Sequence, residues 1–92
     1  MEDIRLELLT DEIMSYRYYP EGGEEYGIVS LNRKTNEVVH DKAYPNVSGM
    51  YKRQAVYRMR RYNEAGEFPE KATVIWYYLN SITAINSADS LP

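Results

Sequence analysis

A chain of 92 residues with no cysteine has room for one hydrophobic core, and neither a disulfide framework nor a thiolate zinc site reinforces it. Its net charge of −3 and pI near 5.1 lack the strongly basic footprint of a nucleic-acid-coating protein. The acidic start, "MEDIRLELLTDE", lacks the basic head of a secretory signal, and no run approaches the ~18 apolar residues of a membrane helix, so a cytoplasmic protein with no membrane partner is expected.

Residues 3 to 9, "DIRLELL", alternate at Ile4, Leu6 and Leu8 as a strand does, while Ile4, Leu8 and Leu9 also fit a helical stripe; the alternation favours a short N-terminal strand. Ile13 to Tyr19 reads as the next strand, closed by Pro20, Gly22 and Gly23 as breakers. Pairing Tyr19 with Tyr26 across that turn sets Met14, Tyr16 and Tyr18 beside Val29 and Leu31, with Arg17 and Tyr19 on the opposite face. The acids of "PEGGEE" form too short a loop for a calcium site and read as solvated turn residues.

The hairpin from Tyr26 to His40 carries the clearest local signal. Asn32 is placed to cap a type I turn and Asn36 to take the left-handed conformation that follows it. If Leu31 faces Val38, unbroken alternation puts Val29, Leu31, Val38 and His40 on one face and Ile28, Ser30, Val39 and Asp41 on the other.

After "YPNVSG" the apolar period becomes helical. Tyr51, Ala55, Met59 and Tyr62 share one face of a helix over residues 49–65, with Ser48 or Asn46 as cap and Gly66 as terminator. Pro69 ends the connection, and "ATVIWYYL" has the composition of a strand covered on both faces. The expected fold is α+β: a small antiparallel sheet of order β-β-β-α-β packed on one amphipathic helix, with an extra N-terminal strand if residues 3 to 9 follow their alternation and not their helical stripe. Residues 1–79 make the domain and 80–92 a polar tail.

Catalytic motifs are missing. There is no glycine-rich phosphate loop and no pair of histidines for a metal site. His40 and Asp41, neighbours on a strand, point to opposite faces and form no dyad; a half-buried structural histidine is expected. Ser48 reads as a cap and not as a nucleophile. The chain is therefore read as non-enzymatic, with no cofactor.

Charge is unevenly spread: residues 1 to 30 hold eight acids against Arg5 and Arg17, whereas residues 49 to 62 hold five cations and no acid. On the helix, Lys52, Arg53, Tyr57, Arg60 and Arg61 fall away from the apolar stripe, flanked by Arg58; they read first as a solvated or internally paired face, and are also the candidate contacts for an anionic partner. Tyr57 is an exposed aromatic among cations, so this face is also where DNA or RNA would bind, although the acidic domain favours a protein. One helix covers one sheet face only. Ile28, Val39 and Tyr19 on the other call for further cover, and a homodimer or another protein partner is expected to supply it.

Overall fold

The computed structural model describes residues 1–42 and 49–75. Within them lie β1 (Glu2–Leu9), β2 (Ile13–Pro20), β3 (Gly27–Asn32), β4 (Val38–Lys42), α1 (Met50–Ala65) and β5 (Lys71–Val74). The strands form one antiparallel sheet of order β4-β3-β2-β1-β5 with the helix on one side, the α+β arrangement expected. No helix among the described residues is long and apolar enough to cross a membrane. The proposed tail, residues 80–92, lies outside the described residues.

Local chemistry accounts for the turns. Thr10 Oγ1 accepts from the amides of Glu12 and Ile13 at 3.2 and 2.9 Å and folds β1 back on β2. In the β3–β4 turn, Asn32 Oδ1 accepts from Lys34 N at 2.8 Å and Thr35 N at 3.2 Å, and Asn36 sits at φ +66°, as its sequence implied. The helix ends on Gly66 at φ 74°, whose amide donates to Tyr62 O. Its start differs from expectation: the N-cap position is Gly49, with no side-chain cap bond, and Ser48 and Asn46 lie outside the described residues.

The core lies between α1 and the inner sheet face. Ile4 of β1, Met14, Tyr16 and Tyr18 of β2, and Val29 and Leu31 of β3 are buried against Ala55, Val56 and Met59 of the helix. Tyr51 and Tyr62 flank this stripe half-buried, and Val56 joins it although the four-and-three spacing omits it. Tyr16 is fully buried yet satisfied, because its hydroxyl donates to Pro69 O at 2.6 Å. Gly27 lies directly opposite Tyr18 and has no Cβ, which lets the tyrosine ring lie over the strand.

Two expectations change. Leu31 does face Val38, but Val39 is an extra residue, so Ser30 faces His40, Val29 faces Asp41 and Ile28 faces Lys42. This bulge moves His40 to the outer sheet face, exposed and not half-buried, and moves Asp41 to the helix side, where it meets Lys52 at 3.3 Å. The described part of the last strand is an edge beside β1 with Lys71 and Thr73 exposed, so it is not covered on both faces; residues 76–79 lie outside the described residues.

Candidate functional site

Two surfaces carry organised charge: the outer side of α1 and the outer face of the sheet. On the helix, the anticipated cluster is divided by the fold. Lys52 pairs with Asp41, and Arg60 Nε donates to Asn36 O at 2.9 Å, fastening the helix to the β3–β4 turn. Arg53, Tyr57 and Arg61 remain as an exposed row at spacings of four. Arg61 Nη1 donates to the Tyr57 hydroxyl at 3.1 Å and its guanidinium lies 5.7 Å from the ring centroid. The row is short: Arg53 and Arg61 flank Tyr57, while Arg60, exposed and still charged, is turned to the Asn36 carbonyl.

The outer sheet face holds what the sequence reading missed. Register places Lys42 opposite Ile28, Ile28 opposite Arg17, Arg17 opposite Arg5, and Arg5 opposite Lys71. A single line across all five strands therefore carries Lys42, Arg17, Arg5 and Lys71. Like charges directly opposite one another disfavour a sheet, so this line needs compensation. A strand reading of residues 3 to 9 already puts Asp3, Arg5 and Glu7 on one side; what the sequence withheld was that β1 lies between β2 and β5.

Part of the compensation is internal. Glu7 Oε1 lies 2.5 Å from Arg17 Nε. The Arg17 guanidinium stacks 4.4 Å from the centroid of Tyr26, and Arg5 lies 4.8 Å from that of Tyr19. Tyr19 and Tyr26 themselves pair at 5.3 Å. The Tyr19 hydroxyl, accepting from Arg17 at 3.4 Å, and then Glu7 raise the Arg17 pKa further, so this cation is permanent. Beneath them the Ser15 and Ser30 hydroxyls bond to each other at 2.6 Å, buried.

This arrangement covers two of the three apolar residues for which a partner was expected to provide cover. Tyr19 is 8% exposed because Arg5 and Tyr26 lie against it, and Ile28 is half-buried between Arg17 and Lys42. Arginine stems and rings screen these two residues, whereas Val39, the bulge residue, stays 53% exposed.

The acids of the β2–β3 turn are not all merely solvated. Glu21 Oε2 accepts from the Tyr51 hydroxyl at 2.6 Å and from the Met1 amino group at 3.2 Å, and these contacts hold its carboxyl below the ordinary range. Glu2, by contrast, is fully buried on the inner face of β1, and neither carboxylate oxygen has a hydrogen-bond partner among the described residues. Burial pushes its pKa to about 8, opposed by the Met1 amino group and aided by Glu21. Among the described residues no group of three or more His, Asp or Glu side chains is placed to hold a metal ion. Compared with known proteins, the chain matches no family, no curated relative and no solved structure.

Proposed function

We propose that this is a non-enzymatic interaction domain that docks on another protein through the outer face of its sheet. The observation that carries the reading is the in-register line of Lys42, Arg17, Arg5 and Lys71 beside the Tyr19–Tyr26 pair. Tyrosine and arginine are the residues enriched in protein interfaces and among their energetic anchors. Here they are fixed by strand register, which lowers the ordering cost of binding. The partner is a different chain and not a second copy face to face, because a two-fold contact centred on this line opposes cation to cation.

A photo-crosslinking residue placed at Tyr26 tests this in cells. A discrete protein adduct is expected from that site and not from the same residue at Tyr57, and Arg5→Glu with Lys71→Glu should abolish it. Adducts equal from both faces, or unchanged by the charge reversal, reject the reading. Light scattering of the isolated protein is expected to give a monomer.

A second reading places nucleic acid on the helix row, supported by Tyr57 standing 51% exposed between Arg53 and Arg61. It expects salt-sensitive binding of a labelled oligonucleotide that Arg53→Glu with Arg61→Glu removes; unchanged polarisation at low salt rejects it.

A further inference from the structure

We infer that the outer sheet face recognises an acidic polypeptide segment, one of whose carboxylates seats between Arg5 and Lys71. The inference rests on that face being the docking surface and goes on to name the chemistry it takes. Arg5 and Lys71 are directly opposite across β1 and β5, and both are exposed. Residues so placed have Cβ atoms about 5 Å apart, close enough for one carboxylate to bridge both heads.

The neighbouring position shows what the line accepts. Arg17, opposite Arg5 on the other side, already holds the carboxylate of Glu7. Neither Arg5 nor Lys71 has an ion pair among the described residues, so this pair lacks the anion that Arg17 has. The two side chains border a shallow hollow of about 340 Å³ with Ile4 and Ala72 in its lining, which has room for an acidic side chain.

Asp3 sets the charge of that ligand. It lines the same hollow and accepts from Thr73 Oγ1 at 2.9 Å. With Arg5 and Lys71 it leaves one net positive charge, which matches a single carboxylate and disfavours the dense charge of a phosphate backbone. Lys42, at the far end of the line, is four strand spacings away, roughly 19 Å. That span is about six residues of extended chain, so a short acidic segment lying across the strands reaches both ends. Residues 43–48 and 76–92 contain one acidic side chain, Asp89.

The test uses the full chain labelled with nitrogen-15, a capped hexaglutamate peptide, a capped hexalysine peptide and a ten-nucleotide oligothymidylate. Hexaglutamate is expected to shift the signals of Arg5, Lys71 and Thr73, with affinity falling at least tenfold in Lys71→Glu and at least tenfold in Arg5→Glu. Asp3→Asn should tighten binding severalfold, a gain that a merely structural role for Asp3 does not produce. Arg53→Glu with Arg61→Glu should leave binding unchanged, and thermal melts confirm that each variant is folded. Preferential binding of oligothymidylate overturns the carboxylate assignment, as does a hexaglutamate response centred on the helix row or no response to any probe. Because the crosslinking assay at Tyr26 needs no acidic probe, it still reports a docking partner in those cases and separates the two failures.

Discussion

Replacing Glu2 by glutamine tests the physical account of the core most sharply. The carboxyl lies on β1 between Pro20 and Val74, fully buried and without a hydrogen-bond partner among the described residues. Its pKa rises from 4.5 to about 8 on folding, so the folded protein keeps a proton that the unfolded chain has released over most of that interval. The folded state therefore binds more protons than the unfolded one, and stability falls as pH rises from 4.5 to about 8. At about 1.4 kcal/mol per pH unit, the loss by pH 7 is roughly 3 kcal/mol, a large share of the ~5–15 kcal/mol that holds a small domain. Glutamine has the shape of the protonated acid but cannot ionise. Glu2→Gln should lie within about 1 kcal/mol of the wild type at pH 5 and exceed it by roughly 3 kcal/mol at pH 7 and roughly 4 kcal/mol at pH 8. Urea unfolding of both proteins from pH 5 to 9 reads the difference. Parallel profiles across that range would show that Glu2 is hydrated or paired and refute the argument.

Two further substitutions test particular contacts. Tyr16→Phe removes the hydroxyl that donates to Pro69 O and leaves that acceptor without its bond, for an expected loss of about 1–2 kcal/mol in denaturant melts; an unchanged midpoint would mean the bond contributes nothing net. Gly27→Ala forces a methyl group into the ring of Tyr18, and a cost of about 1–3 kcal/mol is expected, with Tyr18→Ala in the same chain relieving most of the clash term; additive losses would place the strain elsewhere.

The sequence by itself determined the elements whose causes are local. Asn32 and Asn36 fold their own turn through bonds within five residues, Gly66 takes the one backbone conformation that closes the helix, and the spacing of Ala55 and Met59 selects the buried stripe. Even the register of β2 against β3 followed from a tight turn between two alternating runs.

Tertiary structure decided what depends on partners far away in the chain. Sixty-six positions separate Arg5 from Lys71, and only insertion of β1 between β2 and β5 makes them neighbours; no local propensity encodes that choice, which rests on the burial of Ile4 and Val74 against a shared core. The Val39 bulge is equally invisible in alternation, because one extra residue inverts every later position, sending His40 and Lys42 outward. The helix cations were legible as a group, but their partners were not: Asp41 of β4 pairs Lys52, and the Asn36 carbonyl of the β3–β4 turn takes Arg60. Charge on a chain is a property of sequence; whether that charge is left available is a property of the pairing that folding imposes.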